Sequence, residues 1–326
     1  MTKIKAGIIG GAGYTGGELI RLLLNHPGVE TSFIHSRSNA GKPVSSVHQD
    51  LIGATDIKFT GELTDTIDTL FLCLGHGESR KFLAENKIAD KIKVIDLAND
   101  FRLKSQSTIG NRQFVYGLPE LNREKIKSAQ NIANPGCFAT AIQLGLLPLA
   151  KAGLLADIYT TGITGSTGAG QSLSATSHFS WRANNIQAYK TLTHQHLTEI
   201  AESLLQLQPS NNIDLSFVPW RGDFARGIFV SSTINCNTSL EELNQLFADF
   251  YADHPFTHIS KDAIFLKQAV NTNNAFIQLE KEGNKLVIHS AIDNLLKGAS
   301  GQAVQNMNLL FGVNEMTGLK LKANYF

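Results

Sequence analysis

The stretch "IKAGIIGGAGYTGGELIRLLL", residues 4–24, decides the fold. Its first part, residues 4–10, is a short apolar run without polar alternation, as expected of a strand buried on both faces of a parallel sheet. Gly11, Gly13 and Gly16 follow in G-x-G-x-x-G spacing, and Leu19, Ile20, Leu23 and Leu24 then recur at helical spacing. Between a buried strand and a helix, that pattern is a dinucleotide signal. The glycines permit a tight turn and let the backbone approach a pyrophosphate, which rests on the helix N-terminus where free N–H groups and the dipole favour anions. Gly10, Gly11, Gly13, Tyr14, Thr15 and Gly16 are therefore the candidate cofactor-binding loop. The competing reading is a plain strand–helix turn whose glycines serve packing.

Working outward, residues 29–35, 68–75 and 92–98 read as further buried strands, with a helix over residues 77–87. Strands alternating with helices predict an α/β, Rossmann-type doubly wound sheet. An NAD-binder usually carries an acidic residue at the end of its second strand to hold the ribose hydroxyls. Glu30 stands too early for that, and the strand ends in Ser36, Arg37 and Ser38. An arginine flanked by hydroxyls suits a 2′-phosphate that a carboxylate would repel. The expected cofactor is NADP(H), the alternative for Arg37 being a solvated loop charge. His76, after the strand at 68–75, is expected at the cofactor edge of the sheet.

Beyond about residue 150 the pattern changes. Residues 157–172, 213–220, 225–236, 274–283 and 285–293 read as longer, more alternating strands, broken by helices at 196–207 and 240–254. This predicts an α+β domain with a mostly antiparallel sheet. The helix-like stretch 295–312 is expected to return to the first domain. The boundaries expected are 1–135 with 296–326 for the NADP-binding domain, and 136–295 for a catalytic, substrate and oligomerisation domain.

The totals agree with a globular two-domain protein of 326 residues, 42% hydrophobic and 17% charged, with a net charge of +1. No basic field suggests nucleic acid, and no run of apolar residues is long enough to span a membrane. The start turns into a strand at once, so no signal peptide is expected. Cys73, Cys137 and Cys236 are odd in number and widely spaced, which favours neither a disulfide framework nor a metal site and fits a reducing cytoplasm.

Cys137 follows Asn134-Pro135-Gly136 and precedes an apolar run that reads as a helix ended by Pro148. A thiol in a first helical turn faces unsatisfied N–H groups that enrich the thiolate, the form that attacks carbonyls. The competing reading is a buried small hydrophobe, which suits Cys73 and Cys236 better. The candidate acid–base partners are His194 and His196, where a helix begins; the residues leave open which of them faces Cys137.

In this order the chain carries "GGAGYTGGEL", "SRSNAGK", "DLANDFRL", "YGLPEL", "ANPGCFAT", "GITGSTGAG", "HQHLTEI", "PWRGDFARGI" and "DNLLKGASGQAVQNMN". Together they resemble the N-acetyl-γ-glutamyl-phosphate reductase family, relatives of the aspartate-semialdehyde dehydrogenases, from end to end. The resemblance implies NADPH-dependent reduction of an acyl phosphate to a semialdehyde through a thioester on Cys137, with His194 or His196 protonating the hemithioacetal oxygen. It implies a substrate site at Arg102, Asn134, Ser166 and Tyr189, with Arg102 on the phosphate and Ser166 among backbone donors. It also implies cofactor contacts at Gly168, Asn294 and Gly298, a place in arginine biosynthesis, and a homodimer or homotetramer. The N-acyl group, acetyl or larger such as succinyl, stays open. The rival readings are another phosphorylating semialdehyde dehydrogenase, acting on an aspartate- or lysine-pathway substrate, and a non-catalytic NADP sensor.

Overall fold

The computed structural model describes residues 2–209 and 213–326. The chain divides into two compact units, Met1–Gly136 with Ala299–Lys320, and Cys137–Gly298 with Leu321–Phe326.

The first unit begins β1 (Ile4–Ile9), α1 (Tyr14–Leu24), β2 (Val29–His35), β3 (Phe59–Thr60) and β4 (Thr69–Leu72). It continues α2 (Glu78–Glu85), β5 (Lys93–Asp96), β6 (Thr108–Ile109), β7 (Arg112–Tyr116), α3 (Pro119–Lys127) and β8 (Asn131–Ala133). Its eight strands run in the order β3-β2-β1-β4-β5-β8-β7-β6, parallel except for the short β6–β7 hairpin. Ala6, Ile8, Leu70, Phe71, Val94 and Ile95 are all buried, so both sheet faces are covered and the central strands show no polar alternation. The chain reverses direction of growth between β1 and β4. The crevice outside the strand ends at that switch point is where open α/β sheets bind ligands.

The second unit opens with α4 (Cys137–Lys151), β9 (Asp157–Thr164), α5 (Phe179–Arg182), β10 (Gln187–Ala188), α6 (Leu197–Leu207) and β11 (Asp214–Arg221). It continues β12 (Ile228–Asn235), α7 (Leu240–Tyr251), β13 (Thr257–Ser260), α8 (Leu266–Ala269), β14 (Ala275–Glu282) and β15 (Lys285–Ile292). The seven strands lie in the order β10-β11-β9-β12-β15-β14-β13. The β11–β9 and β13–β14 pairs are parallel and the other four pairs antiparallel. Helix α4, buried from Phe138 to Ala150, packs on β12, β14 and β15 with α6 and α7 beside it. The opposite face is only half covered: along β9, Ile158, Thr160 and Gly162 are buried while Asp157, Tyr159 and Thr161 are exposed.

Helix α4 does not end at Pro148, as the sequence suggested, but runs on to Lys151. A proline inside a helix removes the N–H that the carbonyl four residues back would accept. Here that carbonyl belongs to Leu144, and the hydroxyl of Tyr251 in α7 donates to it instead. The stretch 295–312 is likewise not one uniform helix. Residues Leu296–Ser300 wind as a π-helical turn before α9 (Gly301–Leu310), which packs against α1 and α3 in the first unit. No helix among the described residues is long and apolar enough to cross a membrane.

Candidate active site

In the first unit the glycine loop follows directly from the buried end of β1. Gly10 has φ +81°, and a Cβ there would stand 2.3 Å from the carbonyl oxygen of Cys73. A Cβ on Gly11 would lie 2.3 Å from Ile34, and one on Gly16 would lie 2.6 Å from the Gly10 carbonyl oxygen. These three glycines are therefore fixed by close approach of chain to chain, which no side chain would permit. Gly13 caps the N-terminus of α1 without a side-chain hydrogen bond, and Tyr14 is 40% exposed beside it. The carbonyl of Thr15 accepts from the Ser300 hydroxyl at 2.8 Å. Where β1, β2 and β4 end, a cleft of about 280 Å³ is lined by Gly10, His35, Ser36, Arg37, Leu74 and Lys81. Arg37 and Ser38 are exposed, whereas Ser36 is buried and accepts from the Asn39 side chain at 3.2 Å. His76 is exposed in the loop leaving β4. The cleft wall also carries Glu78 and Glu85, so its charges balance; the features that fit a dinucleotide with an extra phosphate are the glycine-bounded helix terminus and Arg37 exposed at the end of β2.

Arg102 and Asn134, both expected at the substrate, are held by hydrogen bonds to neighbouring backbone and side chains. Arg102 is buried, and its Nε and Nη2 donate to the carbonyls of Asn134 at 2.8 Å and Leu97 at 3.0 Å. Asn134 is wholly buried; its amide donates to the Ala299 carbonyl at 3.1 Å and accepts from Asn306 at 3.1 Å. Both side chains brace the backbone that leads into the Pro-Gly-Cys segment.

In the second unit Cys137 is the first residue of α4 and is half-buried. Gly298 lies against it: a Cβ at Gly298 would meet the Cys137 Cβ at 2.8 Å. The turn that carries Gly298 is tied down by Asp293, which is wholly buried. Its carboxylate accepts from Arg226 Nε at 2.6 Å, from the Asn271 N–H at 2.6 Å, and from the N–H groups of Leu295 and Leu296 at 2.8 and 3.0 Å. Its carbonyl accepts from Gly298 N–H at 2.9 Å. Sequence reasoning missed Asp293 and Arg226, although both stand inside quoted motifs.

The thiol's neighbours come from the loop before α6. Burial, and next the charge at Cys137, push the Tyr189 phenol up, so it stays protonated at neutral pH. The Arg221 guanidinium lies 4.9 Å from the Tyr189 ring centre and hydrogen-bonds its hydroxyl; Arg221 too was missed. The His194 ring stands edge-on to Phe138, Tyr189 and Phe217, with centroids 5.8, 5.8 and 5.4 Å away. Burial, with help from the Lys190 charge, pushes His194 down to about 4. Its Nδ1 accepts from the His196 backbone N–H at 3.3 Å, which leaves the proton of the neutral ring on Nε2. His196, at the N-cap of α6, holds Nε2 at 3.7 Å from Glu199 Oε1, both side chains buried. Cys73, by contrast, is pushed well up by burial and by the Asp96 charge, which suits a structural thiol.

The loop Ser166–Ala169 turns its backbone donors inward. The N–H groups of Ser166 and Thr167 donate to the carbonyls of Phe224 and Ala225 at 2.9 and 3.0 Å, so they are not the open donors expected for a ligand. The Asn294 side chain accepts from Gly227 N–H at 2.6 Å and donates to Thr167 Oγ1 at 3.0 Å, with exposed Gly168 adjacent.

Residues 5–129 match the family "Semialdehyde dehydrogenase, NAD binding domain", and residues 137–294 match "Semialdehyde dehydrogenase, dimerisation domain". A protein of Christiangramia forsetii named N-acetyl-gamma-glutamyl-phosphate reductase is 56% identical over 324 residues, covering 99% of this chain and 100% of that one. A protein of the same name from Phocaeicola vulgatus is 56% identical over 325 residues, with the same coverage. Among solved structures, aspartate semialdehyde dehydrogenase II of Vibrio cholerae superposes with a TM-score of 0.72 at 18% identity, over 96% of this chain and 99% of that chain. At that identity the likeness speaks for the fold alone.

Proposed function

The chain belongs to the N-acetyl-γ-glutamyl-phosphate reductase family of semialdehyde dehydrogenases, and from that premise we propose that it reduces N-acetyl-L-glutamyl 5-phosphate to N-acetyl-L-glutamate 5-semialdehyde and phosphate, in arginine biosynthesis. The observation that carries the reading is the convergence on Cys137. It heads α4 half-exposed, with Tyr189 near enough to feel its charge and His194 packed against both Tyr189 and Phe138.

Cys137 Sγ, as the thiolate, attacks the acyl carbon. The bond from that carbon to the phosphate oxygen breaks, phosphate leaves with the electron pair, and a thioester remains. Gly10, Gly11, Gly13 and Gly16 would hold the pyrophosphate of NADPH and Arg37 with Ser38 its 2′-phosphate, and the bound cofactor would supply the hydride that brings the acyl group to the aldehyde level. Charge then gathers on the former acyl oxygen. Neutral His194, its proton on Nε2, donates a hydrogen bond there, as does the protonated Tyr189 hydroxyl. When the carbon–sulfur bond breaks, the aldehyde departs and the thiolate re-forms, so the residues finish the cycle in their starting protonation state. The His196 backbone N–H holds Nδ1 of His194 and fixes its tautomer, and the His196 ring, itself beside Glu199, packs edge-on against His194 with centroids 4.5 Å apart. Gly298 keeps the approach to Cys137 open.

The dimerisation-domain match supports an oligomer, and we place a second copy of this chain on the half-covered face of the second unit's sheet. The three cysteines are unbridged, which supports a reducing cytoplasm.

The test is reverse turnover with NADP⁺ and phosphate on a panel of semialdehydes. N-acetyl-L-glutamate 5-semialdehyde should be oxidised far faster than N-succinyl-L-glutamate 5-semialdehyde or aspartate semialdehyde, and Cys137→Ser should abolish that activity. Preference for either other aldehyde, or full turnover by Cys137→Ser, would overturn the reading.

A further inference from the structure

The second unit gathers cationic charge beside Tyr189 that the chemistry above does not use. Arg182 closes α5 with its side chain only 8% exposed. Its Nη2 donates to the carbonyls of Asn185 at 3.2 Å and Arg221 at 3.5 Å. Its Nε and Nη1 are buried and have no acceptor among the described residues, and the same holds for Nε of Arg221. Burial and then the Arg221 charge press the Arg182 guanidinium toward losing its proton; Asp223 opposes them, but it is exposed and accepts from the Asn184 N–H at 2.6 Å. A buried guanidinium without an anion carries a large desolvation cost, and buried charges are ordinarily paired. The missing group is an anion.

Its position follows from Tyr189. The Arg221 guanidinium lies 4.9 Å from the Tyr189 ring centre, the Tyr189 ring packs on His194 with centroids 5.8 Å apart, and His194 packs at 5.8 Å on Phe138, the residue that follows Cys137. The backbone holding these groups is strained. Asn184, Lys190 and Leu192 take left-handed φ of +54°, +45° and +59°. Non-glycine residues keep such conformations where the surroundings over-determine them, which happens most at ligand sites.

We propose that Arg221, with Arg182 behind it as a positioning residue, forms an anion subsite that takes the α-carboxylate of the substrate. The assignment rests on the substrate class given above. The phosphate is bonded through oxygen to the very carbon that Cys137 attacks, so it must lie against the sulfur. The carboxylate is separated from that carbon by the Cα–Cβ–Cγ chain and reaches the far side of Tyr189. A planar guanidinium fork also matches a carboxylate with two parallel hydrogen bonds.

The experiment compares two aldehydes in the reverse direction, N-acetyl-L-glutamate 5-semialdehyde and 4-acetamidobutanal, which lacks the carboxylate. The unaltered protein should prefer the first by about a hundredfold in kcat/KM, since a site built to bond a group rejects the analogue lacking it. Arg221→Lys and Arg182→Gln should each raise KM for the first aldehyde about tenfold or more, the loss of one good charge-assisted contact. KM for phosphate should stay as it is, and the loss on 4-acetamidobutanal, which includes whatever Arg221 contributes through the Tyr189 hydroxyl, should be much smaller than the loss on the first aldehyde. A rise in the phosphate KM, or equal losses on both aldehydes, overturns the proposal. A second arm reads binding without turnover. N-acetyl-L-glutamate should raise the melting temperature of the unaltered protein more than 4-acetamidobutyrate does, and Arg221→Lys should erase that difference. No difference in the unaltered protein overturns the subsite. A difference there without any turnover of the semialdehyde supports the subsite and overturns the proposed reaction instead.

Discussion

His194 is neutral because it is enclosed by Phe138, Tyr189 and Phe217 and lies near a lysine. A neutral imidazole is a hydrogen-bond donor rather than a strong acid, so what matters is the N–H at the Nε2 position. His194→Ala should lower kcat by about 10²–10³-fold, the usual cost of one such donor. His194→Gln, whose amide nitrogen reaches the same point, should recover at least part of that loss in steady-state assays; equal loss in both variants would sink the donor role. Arg37 makes a different kind of claim, since it is exposed at the mouth of the cleft where β2 ends. Arg37→Ala should weaken NADPH about tenfold or more while leaving NADH nearly unchanged. Titrations that fall equally for both nucleotides would return Arg37 to the solvent. The type of each residue was legible in the sequence, but the choice between His194 and His196 was not. It depends on which ring the folded loop turns toward Tyr189, and no spacing encodes that.

Helix α4 shows how one element can break a local rule when another element repairs it. The sequence ends the helix at Pro148 because proline cannot donate to the turn before it. Tyr251, far along the chain in α7, donates to the Leu144 carbonyl in its place. Tyr251→Phe should therefore leave a buried acceptor unsatisfied and cost about 1–3 kcal/mol, measured as a shift in the chemical denaturation midpoint with the slope unchanged. No shift would mean that the carbonyl finds another donor. The strands of the first sheet were easy to read for the opposite reason. Burial on both faces makes β1, β4 and β5 nearly uniform in character, so their pattern needs no knowledge of neighbours, whereas β2 is uniform only in its second half, after exposed Glu30 and half-buried Thr31 and Ser32. β6 and β8 carry too few residues to show a period, and β7 opens on Arg112 and Gln113 rather than on an apolar run, so all three passed unread. Asp293 went unread as well. It accepts from groups at positions 226, 271, 295 and 296, a convergence that exists only after folding.

At the scale of the whole molecule, the second unit's sheet has one face filled by α4, α6 and α7 and another on which apolar side chains stand half in water. Ile163 pairs with Trp220 on one side and with Phe229 on the other, and Tyr159, four pairs further along β9, is 64% exposed. Tyr159→Glu should yield a folded monomer by sedimentation, with circular dichroism unchanged; an unchanged mass would remove this face from the assembly. If a second copy finishes this sheet, as proposed, robustness becomes a matter of dilution. Each tenfold drop in protein concentration shifts the balance toward partly finished chains, and the midpoint of unfolding should slide downward with it. Positions such as Tyr159 and Thr161, outward in a single chain, would then evolve under the constraints of an interior, and a cell that makes too little of this protein would also make it less durable.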